Sequence, residues 1–334
     1  MFGTSRRSQV LVGVALAVLV GVGAAAYAAS GGSSSSSKSG RSGAGKTTTS
    51  AKTKHTKAPG HTGSAKARAK QPACTNKGAA PTRYRSVVVF SFENRTWADV
   101  GTAFRNLPYL HRLARKCTYF SDWTETDTGQ NSLSQYVGQV TGARQSGTVN
   151  DCSPSASCST TASSIFRQAR AAHLKAINYV EGATAPCSAD GNAAKHVPVL
   201  YLWGADDRAH CKTQVRPYSE FDPKALPNFA FITPTLCNDG HDCPNSTVNT
   251  WAKANIQPVL NSKAYKDGKV AVFVWYDEDH PVPNLWITPT AVKGPQTLAG
   301  AGAAGTLGAW ESMLGLPCLA DACTAPNMRA AAHS

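Results

Sequence analysis

The chain has 334 residues, 42% hydrophobic and 8% aromatic, enough apolar material for a sizeable core and enough to exclude wholesale disorder. Its formal charge is +14, from 34 Lys+Arg against 20 Asp+Glu. Residues 1–73 hold eleven of those cations and no acid, so the excess sits at the N-terminus and the nearly balanced remainder gives little ground for binding nucleic acid.

In chain order, Arg6 and Arg7 precede an apolar run from Val10 to Tyr27 and a cluster of alanines up to Ala29, the signature of a secretory signal peptide over residues 1–30. The paired arginines also occur in twin-arginine signals. The run is about 18 residues long, near the minimum for a membrane helix, so a retained anchor is the alternative. Residues 31–73 are mostly Ser, Gly, Thr, Lys and Ala without a single Phe, Trp or Tyr, a composition expected to form a disordered basic linker. Such a linker serves either to meet an anionic envelope or membrane surface or as a solvated spacer. The expected location is secreted or cell-surface.

From residue 74 to 334 strands and helices alternate. Ser86–Phe92 (SVVVFSF) reads as a strand buried on both faces, Leu107–Lys116 and Ser132–Val140 as helices, and Ser163–Ala172 as a helix leading into a strand at Lys175–Val180. Further strands are expected at Asn228–Thr233, Val270–Tyr276 and Pro283–Thr288, with helices around Thr247–Leu260 and Leu307–Leu314. This alternation predicts an α/β domain with a parallel sheet and helices on both faces. All ten cysteines lie after residue 73. Spacing groups 152 with 158, 237 with 243, 318 with 323 and 187 with 211, leaving Cys74 with Cys117. An even count in an exported chain points to disulfides, and no C-x-x-C pair supports zinc.

Ligands of open parallel sheets gather at the carboxyl ends of strands. Glu93, Asn94 and Arg95 follow the first strand; Asn238, Asp239, His241 and Asp242 follow NFAFIT; Asp277, Glu278, Asp279 and His280 follow VAVFVWY. Carboxylates with imidazoles suit a divalent metal or a polar acid/base site. In GQNSLSQYVGQVTG (129–142), Ser132 enters a helix, where it is either an ordinary N-cap or a hydroxyl beside an anion-binding helix end.

ENR at 93–95, TPTLCNDGHDC at 233–243 and YDED at 276–279, in this order, resemble the bacterial and fungal phosphoesterase family of secreted acid phosphatases and phospholipase C-type enzymes, within the alkaline-phosphatase-like superfamily. PYLHRLA from Pro108 and WESMLGLPCL at 310–319 extend the resemblance over roughly residues 84–329. It implies a three-layer α/β/α sandwich with a mainly parallel central sheet. It also implies a divalent metal on Glu93, Asn94, Asp277 and Glu278, and Ser132 as a nucleophile that forms a phosphoserine. Asp239 and His241 are implied as catalytic groups, and Asn94, Asn131 and Gln135 as contacts to the substrate phosphate.

The family's helix entry, close to HPSLPNY, is QNSLSQY here: Gln130 replaces His, Asn131 and Ser134 replace prolines, and Gln135 replaces Asn. A His-Tyr-Ser run before the last helix is replaced by AGAAGTLGA at 301–309, which leaves His280 either as a stand-in for the missing imidazole or as an ordinary surface histidine. The implied activity is hydrolysis of phosphate monoesters, phosphoinositide headgroups included. The alternatives are a phosphodiesterase or phospholipase C, or an inactive surface-binding protein of the same fold.

Overall fold

A computed structural model describes residues 74, 75, 78–125, 131–189, 194–278 and 280–333. The expected signal peptide and linker, Gln130 and Asp279 lie outside the described residues. Strands are β1 (Ser86–Phe92), β2 (Thr118–Phe120), β3 (Ala176–Val180), β4 (Val215–Pro217), β5 (Phe229–Thr233), β6 (Val270–Tyr276), β7 (Asn284–Ile287) and β8 (Gly294–Gln296). Helices are α1 (Trp97–Val100), α2 (Pro108–Ala114), α3 (Ser132–Thr141), α4 (Ile165–Ala171), α5 (Ala205–Gln214), α6 (Leu236–Asp239), α7 (Asn245–Asn261), α8 (Lys263–Lys266), α9 (Ala303–Leu314) and α10 (Met328–Ala331). None of these helices is long and apolar enough to cross a membrane.

The strands form one sheet in the order β4-β3-β5-β1-β6-β7-β2-β8. Every pairing is parallel except those of β7, which runs against both β6 and β2. The strands foreseen as long apolar runs are present within a residue or two at their ends. Missing from the sequence reading were β2, β4 and β8, each of three residues, too short to display a period of two. Pro217 ends β4 and Pro295 sits in β8, at the two edges where a lost backbone donor is tolerated.

All seven residues of both β1 and β6 are buried, because helices cover both faces. On one face Trp310 of α9 packs on Phe229 and Phe273, Tyr136 of α3 on Phe231 and Trp275, and Phe166 of α4 on Phe229. On the other, Trp251 of α7 meets Phe90 and Phe92 edge-on. The alternation of Phe229/Phe231 against Phe90/Phe92 across the register is what a pleated sheet between two helical layers requires.

The stretch 301–309 is a packing device. A Cβ at Gly302 would lie 2.5 Å from the Thr124 carbonyl oxygen, and one at Gly305 2.9 Å from Met328 sulfur, so α9 seats its first turn only because these positions lack side chains. Five disulfides join Cys74–Cys117, Cys152–Cys158, Cys187–Cys211, Cys237–Cys243 and Cys318–Cys323, the grouping that spacing suggested.

Candidate active site

Because β5, β1 and β6 are adjacent and parallel, their carboxyl ends open at one edge of the sheet. Phe92 and Tyr276 are paired, so Glu93 and Asp277 leave the sheet side by side. The Asp277 amide donates to the Phe92 carbonyl at 3.3 Å, and the Glu93 amide to the Asp239 carbonyl at 3.0 Å. These bonds fasten the three strand-end loops to each other. Asn94 and Glu278, the second residues out, both have positive φ, 47° and 56°, a conformation non-glycine residues adopt only when their surroundings enforce it.

Arg95 supplies one enforcement. Its guanidinium donates to the carbonyls of Asn94 (2.8 Å), Cys243 (3.1 Å) and Gly240, stitching the 93–95 loop to the disulfide-closed 237–243 loop. Glu181 holds the same loop from below: it accepts from the Thr235 amide at 2.9 Å, the Asn238 side chain at 3.0 Å and the Trp251 indole at 3.0 Å. Asn238 is therefore committed to that support.

Ser132 is the first residue of α3 and fully buried. Its hydroxyl donates toward Glu278 Oε1 at 2.7 Å and Glu93 Oε2 at 3.2 Å. One turn on, Gln135 Oε1 accepts the Glu278 amide at 2.6 Å. Asn131 occupies the N-cap without a side-chain cap bond, and Asp151 fills that role by accepting the Leu133 amide at 3.0 Å. The Asn94 amide donates to Asp277 Oδ1 at 3.1 Å.

Glu93, Asp277 and Glu278 offer oxygens within 4.8 Å of one another, and Asp277 Oδ2 is buried without a hydrogen-bond partner among the described residues. Burial, and after it the charges of Asp277 and Asp239, raises the Glu93 carboxyl well above its usual range. Burial, then Glu278, pushes Asp277 up to about 8. Three acids crowded in a dry pocket must bind protons or a cation to be stable, and an all-oxygen set suits a hard divalent ion. The donor set fits a metal.

His196 was not foreseen. Its buried ring lies between two of the acids, Nε2 at 3.3 Å from Glu93 Oε1 and Nδ1 at 3.5 Å from Asp239 Oδ2, and stacks on Tyr136 with centroids 5.1 Å apart. Glu93, His196 and Asp239 form a second group that could hold a metal. His196 comes from an irregular connection long after β3, where no strand-end rule applies; the one signal was a lone imidazole in the apolar stretch VPVLYLW's immediate lead-in.

Asp239 is buried and pushed up to about 7 by that burial, partly offset by the His241 amide it accepts at 2.8 Å. His241 is only half-buried at the rim, its Nδ1 2.7 Å from Asp242 Oδ1, its ring centroid 6.1 Å from that of His196. His280 Nδ1 accepts the Glu125 amide at 3.4 Å, and Glu125 in turn accepts from the Trp275 indole at 2.8 Å. Of the residues expected at the site, Glu93, Ser132, Gln135, Asp277 and Glu278 meet directly, Asn94 and Asp239 adjoin them through backbone bonds, and Asn131 and His241 border them.

Two curated relatives match over 89 residues: an acid phosphatase of Aspergillus fumigatus at 28% identity and a probable acid phosphatase of Kluyveromyces lactis at 26%. Each match covers 25% of this chain and 20% or 21% of the relative, so it spans about a fifth of those proteins. Among solved structures, a protein of the alkaline phosphatase superfamily from Vibrio parahaemolyticus is similar at TM-score 0.49 and 11% identity, covering 74% of this chain and 71% of that one. The lipoteichoic acid synthase LtaP of Listeria monocytogenes is similar at TM-score 0.48 and 10% identity, over 71% and 73%. The Phosphoesterase family model spans residues 89–303, from within β1 through all three strand-end loops to the start of α9, and by that match the chain belongs to the Phosphoesterase family.

Proposed function

We propose that the chain is an exported phosphoric ester hydrolase that cleaves phosphate monoesters, with Ser132 as nucleophile. The observation that carries this reading is the Ser132 hydroxyl lying within hydrogen-bond distance of both Glu93 and Glu278 at the first residue of α3. As Oγ attacks phosphorus, a carboxylate accepts its proton, the bond to the leaving oxygen breaks, and a phosphoserine forms. Water then attacks that phosphorus and the proton returns to Ser132. The positive end of the α3 dipole faces the charge that develops at this position. Asp239, with its carboxyl near 7, is suited to protonate the leaving oxygen near neutral pH.

Bound at Glu93, Asp277 and Glu278, beside Asn94, a divalent cation supplies charge neutralisation for the phosphoryl oxygens and lowers the pKa of the serine hydroxyl. Five disulfides support an oxidising compartment, in keeping with the signal-like residues 1–30. The basic residues 31–73 are read as the part that meets an anionic surface.

The test is Ser132→Ala in the full chain. It should abolish turnover of p-nitrophenyl phosphate and the acid-stable label that wild type takes up from a 32P-monoester. Wild-type turnover in the variant overturns the nucleophile. Faster turnover of bis(p-nitrophenyl) phosphate than of the monoester converts the reading to a phosphodiesterase.

A further inference from the structure

The site as described is rich in acids, and its expected substrate is an anion. Resting on the reading above, the geometry points to Lys195 as the protein's own cationic contact to the non-bridging oxygens of the substrate phosphate. The residue belongs to no strand end and to no part of the motifs at 93–95, 233–243 or 276–279.

Several observations place it. Lys195 Nζ lies 3.1 Å from Asp151 Oδ2, and the other oxygen of that carboxylate accepts the Leu133 amide at 3.0 Å. One carboxylate thus ties the ammonium to the residue next to Ser132. Asp151 is itself held: it precedes Cys152, which is bonded to Cys158 and whose carbonyl accepts the hydroxyl of buried Tyr201 at 2.8 Å. On the other side, Lys195 adjoins His196, whose carbonyl accepts Thr233 Oγ1 at 3.0 Å and whose ring is packed on Tyr136. Both ends of the contact are anchored to buried structure.

The side chain is 22% exposed, so it borders solvent. An ammonium has three donors, and among the described residues Asp151 takes one. Paired with the Asp151 carboxylate, the amine serves as a cation. The shared Asp151 carboxylate sets the ammonium beside the first turn of α3, where Ser132 lies. Asp151 pins the cation without exhausting it, leaving two donors for phosphoryl oxygens in a charge-assisted contact.

The experiment compares full-length Lys195→Met, Lys195→Arg and Asp151→Asn with the parent, using p-nitrophenyl phosphate for kinetics. Binding of inorganic phosphate is measured calorimetrically in a Ser132→Ala background. Lys195→Met should raise KM and the phosphate Kd on the order of ten- to a hundredfold, the usual weight of a hydrogen bond to a charged group, with a smaller change in kcat. Lys195→Arg should recover most of the affinity. Asp151→Asn keeps an acceptor for the Leu133 amide but loosens the hold on the ammonium, and should raise KM by clearly less than Lys195→Met does.

Unchanged KM and Kd in Lys195→Met overturn the assignment. So does a rise in Asp151→Asn equal to that in Lys195→Met, which would make the pair a structural brace. The phosphate Kd is read in protein lacking the Ser132 hydroxyl, so it separates failure of Lys195 from failure of the nucleophile: turnover surviving in Ser132→Ala sinks the latter alone.

Discussion

Ser132 and Gln135, one helical turn apart on α3, grip the two ends of Glu278: the serine hydroxyl meets its carboxylate at 2.7 Å and the glutamine carbonyl takes its amide at 2.6 Å. Residues three apart on a helix share a face, so a single turn can hold both the backbone and the side chain of the neighbouring loop. Glu278 needs that hold, since its φ of 56° is strained for a residue with a Cβ.

Gln135→Ala should therefore misplace Glu278 while leaving Ser132 in position. The expected result is a fall in kcat of about ten- to a hundredfold and a stability loss of about 1–3 kcal/mol from the unpaired Glu278 amide. Steady-state kinetics and urea melts check it. Gln135→Glu retains an acceptor and should recover stability more than activity, because it adds charge to an already acidic pocket.

Metal dependence should grow with pH. The Glu93 and Asp277 carboxyls are raised in the fold, Asp277 to about 8, against an unfolded value near 4. A raised carboxyl contributes its stability fully below the unfolded value and loses it as pH climbs through the folded one. Chelated protein should thus lose thermal stability between about pH 4 and 8, the loss developing as these acids ionise against each other. A divalent cation at 100 times its Kd adds about 2.7 kcal/mol, and its protection should be larger at pH 8 than at pH 5. Thermal melts with EDTA or with a divalent salt, across that range, read the difference.

Glu311 makes the same sign argument away from the site. It is 1% exposed on α9, and burial pushes it up to about 8, offset only in part by the Leu319 amide and the Gln168 side chain. The fold is favoured while Glu311 is protonated, below about pH 4.5, and penalised progressively up to about pH 8. Glu311→Gln should match wild type at pH 4.5 and melt several degrees higher at pH 8.5, with kcat unchanged; equal melting at both pH values would refute the account.

Cys237–Cys243 closes the loop that presents Asp239 and His241. Replacing both cysteines by serine should cost about 2 kcal/mol of stability by loop entropy. Arg95 still bridges that loop to Asn94, so the double variant should keep measurable turnover, and adding Arg95→Ala should remove it. Thermal melts and monoester turnover of the double and triple variants distinguish the two restraints.

Much of the candidate site was legible because its acids follow strands that announce themselves. SVVVFSF and VAVFVWY are buried on both sides, and whatever follows such a run sits at the ligand edge. Short-range cysteine spacing likewise foretold the disulfides. His196, Lys195 and Asp151 were not legible, because each arrives from a loop or short turn whose direction no periodicity records, whereas Glu181 directly follows β3, a strand end the same rule covers and whose supporting role went unread. The same holds for the positive φ of Asn94 and Glu278, which the surrounding hydrogen bonds enforce.

By itself the amino-acid order determined where the long strands and helices form, that most of the charge excess lies in residues 1–73, and which acids follow the long central strands. These are local properties, carried by alternation, composition and short spacing. Only the tertiary structure decided that β5, β1 and β6 lie side by side, that α3 delivers Ser132 between Glu93 and Glu278, and that His196 lies between Glu93 and Asp239. Strand order and helix seating arise from packing between residues far apart in the chain, such as Tyr136 against Phe231 and Trp275, and such contacts leave no mark on either partner's own neighbourhood in the chain.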